Sequence, residues 1–199
     1  MSFDAVILAN GEFPKRGGAA RSLLAAAKRV VACDGAADAY VKRFGRSPFA
    51  VVGDMDSLKR CPEGSDIVRV PEQETNDLEK AVAWCRVRGW KRLVVVGASG
   101  KREDHLLGNV FRALDLGVEM VTEFGRFVPV CGKASFRVAK GTPISVFATD
   151  PKTRAKSKGL EWPLDGVKFR NFHCATLNRA SATRVSVSSD RNILVYIAS

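Results

Sequence analysis

Leu93-Val94-Val95-Val96-Gly97-Ala98-Ser99-Gly100-Lys101-Arg102-Glu103-Asp104-His105 joins four apolar residues to a glycine turn and a charged run. An apolar run this short, without polar alternation, reads as a strand buried on both faces, as strands of parallel sheets are. Downstream, Leu106, Leu107, Val110, Phe111 and Leu114 form a stripe at helical spacing, stopped by Gly117. The same texture extends upstream. Val6–Leu8, Val30–Cys33, Phe49–Val52, Ile67–Val70 and, further on, Val118–Val121 are strand candidates, and Leu78, Ala81, Val82 and Cys85 fall on one helix face. Alternating strand and helix predicts an α/β fold. Residues 1–124 are expected to form a mostly parallel, Rossmann-like sheet with helices on both faces.

After residue 125 the helical period disappears. Phe127–Cys131, Ser135–Val138, Ile144–Ala148, Val167–Phe169, Thr183–Val187 and Asn192–Ile197 are short β-rich runs separated by turn residues. Residues 125–199 therefore read as a second domain, a small all-β sandwich, with Asp150–Gly159 as an exposed basic loop.

Composition narrows the function classes. The chain has 199 residues, 46% of them hydrophobic, which excludes wholesale disorder. Thirty-two Lys and Arg against 21 Asp and Glu give 32 − 21 = +11, which favours an anionic partner without choosing one. No apolar run approaches the roughly 18 residues that cross a bilayer, and Met1–Asn10 carries an acid and no basic leader region. The five cysteines are scattered, with no C-x-x-C pair, so the expected compartment is the reducing cytoplasm.

In open α/β sheets ligands collect at the carboxyl ends of the strands. Three expected strands lead there to acids: Asp34-Gly35, Gly53-Asp54-Met55-Asp56-Ser57, and Gln73-Glu74-Thr75-Asn76-Asp77. Asp34, Asp54, Asp56 and Asp77 would converge on one edge. Two carboxylates about 4 Å apart repel by about 4 kcal/mol at an effective dielectric of 20. A bound Mg²⁺ would relieve that repulsion, and it prefers carboxylate and phosphate oxygens. A lone Asp in such a place reads as a turn or helix cap. For Asp54-x-Asp56 after a buried strand, with Asp77 at another strand end, metal binding is the better reading. In Gly97–His105 the glycines permit close backbone approach, while Lys101 and Arg102 supply positive charge for phosphates. A plain glycine turn fits that local pattern equally well. Neither a Walker loop, a G-x-G-x-x-G fingerprint nor a G-x-S-x-G elbow is present. Trp162, in a loop-like stretch, could stack on a flat ring or close a hydrophobic edge.

Taken together, Asp34-Gly35-Ala36, Gly53–Ser57, Gln73–Asp77 and Gly97–His105 resemble the thiamine pyrophosphokinase family in residues and in order. Gly159-Leu160-Glu161-Trp162-Pro163-Leu164 is similar to a segment of that family's β-sandwich. A Ser-Asn pair of the family corresponds here to Leu177-Asn178. The resemblance implies transfer of pyrophosphate from ATP to the hydroxyethyl group of thiamine, giving thiamine diphosphate and AMP. It implies that Asp54, Asp56 and Asp77 hold Mg²⁺ and, with Arg102, are catalytic. Asp34, Ser57, Gln73, Ser99, Lys101, Arg102, Asp104 and His105 would line the ATP site, and Gln73, Trp162 and Asn178 would meet thiamine. It also implies a homodimer with shared sites.

Rival readings make distinct claims. A nucleic-acid-binding protein would explain the charge, but the basic residues are dispersed, no aromatic-basic RNP-like run is present, and nucleic acid is disfavoured. An Asp-dependent phosphatase would need Asp-x-Asp-x-Thr/Val, and Leu58 stands at the last position. A catalytically dead thiamine-binding module would have lost acids that are all present here.

Overall fold

The computed structural model describes residues 3–199; Met1 and Ser2, the start of the segment read against a leader sequence, lie outside it. It divides into two compact units, one running to Arg112 and including Val118–Glu123, the other comprising Ala113–Gly117 and Phe124–Ser199.

In chain order the first unit contains β1 (Ala5–Leu8), α1 (Ala19–Ala26), β2 (Val30–Cys33), α2 (Ala36–Phe44), β3 (Ala50–Gly53), β4 (Asp66–Arg69), α3 (Asp77–Val87), β5 (Leu93–Val96), the start of α4 (Glu103–Leu116) and β6 (Glu119–Val121). The strands lie in the order β6-β5-β1-β2-β3-β4, and every pair is parallel. All four residues of β1, β2, β3 and β5 are buried, as expected of strands covered on both faces. Val6, Leu8, Val30, Ala32, Val51 and Val94 share one cluster with Leu24 of α1 and Tyr40 of α2. The pleat turns Ile7, Val31 and Val52 the other way, and α3 packs on β1, β2 and β3 with Leu78, Ala81, Val82 and Cys85 buried. Edge strand β4 is largely exposed.

Helix ends follow local chemistry. Gly45 takes φ +65° after α2, and its N–H reaches the Val41 carbonyl. At the start of α3, Asn76 and Glu79 form a reciprocal capping box.

The second unit is antiparallel. Two long strands, β7 (Gly125–Arg137) and β11 (Arg184–Ala198), pair along their length, with β8 (Pro143–Ala148) and β9 (Ala155–Lys158) also on β11 and β10 (Ala175–Arg179) on β8. Two corrections to the expected strands follow. Phe127–Cys131 and Ser135–Val138 fall largely in one strand, as do Thr183–Val187 and Asn192–Ile197, because a register shift between Ser189 and Ile193 carries pairing past the polar interruption. Val167–Phe169 is not a strand: Phe169 is 1% exposed and plugs the core from irregular backbone. Part of the expected loop Asp150–Gly159 is strand β9, since Ala155 is buried and the segment pairs with Ser186–Ser189.

Leu24 has no solvent exposure and anchors α1 on the sheet. Leu24→Ala should therefore cost about 2–5 kcal/mol of stability, read from urea unfolding. A loss below about 1 kcal/mol would show that α1 contributes little to this core.

Candidate functional site

β1 is the point at which the chain's direction of travel across the sheet reverses, with β2, β3 and β4 laid down on one side and β5 on the other. Strand ends separate there, which leaves a crevice at their carboxyl termini. A cleft of about 340 Å³ lies there, lined by Asn10, Gly11, Asp77, Ser99, Lys101, Arg102 and His105, among others.

An acid cluster built on Asp34 lies next to it, with Asp77 shared by the cluster and the cleft lining. Asp34 follows directly on β2 with φ +40° and is 3% exposed. Its Oδ2 accepts hydrogen bonds from the Ser57 hydroxyl at 2.6 Å and the Ser57 N–H at 2.9 Å, which ties down the Asp54–Ser57 turn. Met55 within that turn also has positive φ, +71°. Asp34 Oδ1 is buried with no hydrogen-bond partner among the described residues. Gly53 is needed at the junction, since a Cβ there would stand 2.9 Å from Asp34 Cβ and 3.2 Å from Asp77 Oδ1. Asp54 Oδ1 accepts from the Asp56 N–H and Oδ2 from Gln73 Nε2 at 3.2 Å, and these bonds hold its carboxyl below the usual range.

Asp77 occupies the first position of α3 and is set there by the capping box. Burial pushes its carboxyl above the usual range, Asp54 and Asp34 push the same way, and Lys80 opposes them. The Lys80 side chain is 3% exposed, with Nζ 3.8 Å from Asp77 Oδ1 and 4.0 Å from Glu72 Oε1. Glu72 in turn gathers the Thr75 hydroxyl and the Glu74 and Thr75 N–H groups. Lys80 and Glu72 were not singled out in the sequence; the available signal was a lysine one turn after Asp77. Asp56 is exposed and its carboxylate makes no hydrogen bond among the described residues, while its N–H is held by Asp54. Cys33 also lines the cleft, but burial pushes its thiol well above the usual range, which keeps it protonated and inert.

No closed metal cluster of three His, Cys, Asp or Glu residues occurs among the described residues. An open site is a different matter. The unpartnered Asp34 Oδ1 and the mutual repulsion felt at Asp77 fit a divalent cation that takes its remaining ligands from phosphate and water.

The basic side follows β5. Lys101 Nζ donates to the Asn10 carbonyl at 3.0 Å and to Asn10 Oδ1 at 3.3 Å. Asn10, directly after β1, is a further residue the sequence reading passed over. Arg102 grips Asp104 with two bonds, of 2.6 and 3.1 Å, which lowers the Asp104 carboxyl and raises the guanidinium. Both side chains are more than 60% exposed, so the pair is screened by water. Ser99 and His105 line the same cleft.

In the second unit, Trp162 and Asn178 come together. The buried Asn178 amide accepts from the Trp162 N–H at 3.2 Å and donates to the Trp162 carbonyl at 2.6 Å. Arg179 lies 5.4 Å from the indole centroid and pairs with Glu161. The indole remains 51% exposed, and the neighbouring Leu177, at φ +60°, is 89% exposed. Asn178 thus holds the main chain of an exposed ring.

Replacing Lys80 by Met removes the cation that opposes the upward push on Asp77. Carboxyl-carbon NMR should find Asp77 titrating above the ordinary aspartate range in the unchanged protein and higher still in Lys80→Met. An unmoved Asp77 would break the Lys80–Asp77 assignment.

A family model described as thiamin pyrophosphokinase, catalytic domain, matches residues 20–121, and one described as thiamin pyrophosphokinase, substrate-binding domain, matches residues 125–196. Thiamin pyrophosphokinase 1 of Caenorhabditis elegans is 32% identical over 111 residues, which are 51% of this chain and 46% of that protein. The chain thus matches about half the length of that relative. Among solved structures, thiamin pyrophosphokinase from Candida albicans superposes with a TM-score of 0.77 at 17% identity, covering 98% of this chain and 89% of that one. Thiamine pyrophosphokinase from Bacillus subtilis superposes with a TM-score of 0.76 at 16% identity, covering 98% of both chains. At these identities the superpositions speak for a shared mixed α/β fold. With both family domains matched in sequence and in order, the chain belongs to the thiamin pyrophosphokinase family.

Proposed function

We propose that this chain is an ATP:thiamine diphosphotransferase, making thiamine diphosphate and AMP. One observation carries the reading: Asp34, Asp54 and Asp77 gather around Gly53, near the cleft that Lys101 and Arg102 line. The thiamine hydroxyl oxygen would bond to the β-phosphorus while the bond from that phosphorus to the α-bridging oxygen breaks, and the hydroxyl proton is lost. Such a transfer depends on alignment and on neutralising phosphate charge.

On this reading Asp54 and Asp77, with Asp34 beside them, hold a divalent cation, Mg²⁺, and Asp56 joins through its exposed carboxylate. When bound, the cation offsets charge on the phosphates. The chain's own groups do the positioning. Gln73 restrains Asp54, Ser57 restrains Asp34, and the buried Lys80 keeps the acid group from carrying its full repulsion. Lys101 and Arg102 meet phosphate oxygens, with Ser99, Asp104 and His105 around them. The Arg102–Asp104 pair is exposed and screened, so exchanging Asp104 for phosphate costs the guanidinium little.

We assign residues 1–124 to catalysis on a Rossmann-like sheet and residues 125–199 to thiamine binding and homodimer formation. We read the second domain as a sandwich. Both halves of β11 feed one core cluster, Val187 beside β9 with Val185 just before that pairing, and Ile193, Val195 and Ile197 beside β8, which supports that reading. The exposed, main-chain-clamped Trp162 supports stacking on an acceptor ring. The cytoplasm is the proposed compartment, supported by five free cysteines. Among the described residues no helix is long and apolar enough to cross a membrane.

Purified protein with ATP, Mg²⁺ and thiamine should yield thiamine diphosphate and AMP in equal amounts, by chromatography of the products. ADP with thiamine monophosphate would overturn the assignment. Asp54→Asn should cut turnover by about a hundredfold or more while leaving the unfolding midpoint nearly unchanged. Trp162→Ala should raise KM for thiamine with little effect on that for ATP, and equal effects on both would assign the ring to packing.

A further inference from the structure

A concavity of the β unit lies apart from Trp162, which is not in its lining. It is a cleft of about 1320 Å³ edged by Lys133, Lys152, Arg154, Lys156, Lys168 and Arg170. None of these six side chains forms an ion pair among the described residues, and all six are exposed. The seventh cation, Arg191, is paired with Asp150 at 2.9 Å. The two carboxylates in the lining are engaged by main chain: Asp190 accepts from the Arg154 N–H at 2.8 Å and Asp165 from the Ser157 N–H at 3.2 Å. The cleft therefore holds a marked excess of uncompensated positive charge on a concave wall, where field lines concentrate.

Sheet register orders part of that charge. Ser188 of β11 lies opposite Lys133 of β7 on one side and Lys156 of β9 on the other, so the three share one face of the sheet. With strands about 4.8 Å apart, the two lysines stand about 10 Å apart with a hydroxyl between them. The next row on that face is Ser135, Ser186 and Lys158. The first row, with a hydroxyl between two ammonium groups, suits a chain of phosphate oxygens. No aromatic side chain lines the cleft, so it lacks the stacking platform that single-stranded nucleic acid uses. A concave wall is also the wrong shape for a bilayer surface, and its volume far exceeds that of one phosphate.

We propose that this cleft binds a linear inorganic polyphosphate chain, and that the basic segment Asp150–Gly159 exists to furnish one wall of it. The proposal is independent of the diphosphotransferase reading, since no residue assigned to ATP or thiamine lines the cleft.

The test is fluorescence anisotropy of end-labelled long-chain inorganic polyphosphate against the full chain over a range of salt. Two triple variants are compared. Lys133→Gln/Lys156→Gln/Lys168→Gln removes three of the six unpaired cations of the cleft, and Lys42→Gln/Lys59→Gln/Lys91→Gln removes three exposed charges elsewhere; both take the net charge from +11 to 11 − 3 = +8. The cleft variant should bind at least about tenfold more weakly, with the slope of log K against log salt shallower by about 2. The second should stay within about twofold of the unchanged protein. Thermal unfolding verifies that both are folded. Equal weakening by the two triples, absence of binding at low salt, tighter binding of single-stranded RNA with the same number of phosphates, or preferential sedimentation with anionic lipid vesicles would each overturn the proposal.

Discussion

Much of the candidate catalytic unit depends on one buried carboxylate. Asp34 stands at the end of β2 in a left-handed backbone conformation, which a non-glycine residue adopts only when its surroundings hold it there. One oxygen is spent on Ser57, and through it on the turn that carries Asp54. The other is buried without a hydrogen-bond partner among the described residues, a costly state for a carboxylate. The close fit of Gly53 and Gly35 follows from the same constraint: a Cβ on Gly35 would stand 2.7 Å from Ser57 Oγ. Two strand ends are thereby locked side by side, with their acids aimed at common space.

Electrostatics then divides that space. Asp34, Asp54 and Asp77 form an acid cluster that meets the cleft at Asp77, whose carboxyl is raised first by burial and then by its neighbours Asp54 and Asp34. Lys80, buried beneath Asp77 and Glu72, offsets part of it from within. Removing one partner from such a buried group leaves charge uncompensated, which costs far more than breaking a surface pair. Lys101 and Arg102 stand on the other side, and their counter-ligands are weakly committed: a carbonyl and an amide for one, an exposed carboxylate for the other.

The legibility of the fold varied with how completely each segment is buried. Leu93–Val96 is apolar throughout because the strand is covered on both faces, so its parallel character could be read directly. α3 and α4 carried clear stripes. α1 and α2 did not stand out, since they bury mostly small side chains, Ala20 and Leu24 in one and Ala36, Ala37 and Tyr40 in the other. In the β unit the sequence reading fragmented two long strands, because the polar run Ser188–Asn192 looks like a turn until the partner strands carry pairing across it. β9 was hidden for a related reason: lysines dominate it, and its buried Ala155 is too small to announce a strand.

Sequence alone determined the α/β and all-β textures, the positions of the acids and bases at strand ends, and family membership. Those properties are local: periodicity, turn chemistry and motif order need no partner to be visible. Tertiary structure decided how the acids are held, with Asp34 and Asp54 bonded to the turn and Asp56 exposed, and revealed Asn10 and Lys80 as neighbours of the site. It also decided that Asn178 braces Trp162 and that lysines from β7 and β9 flank Ser188. The physical reason is that burial, hydrogen-bond partnership and cross-strand register are set by residues distant in sequence, and no window along the chain contains both members of such a pair.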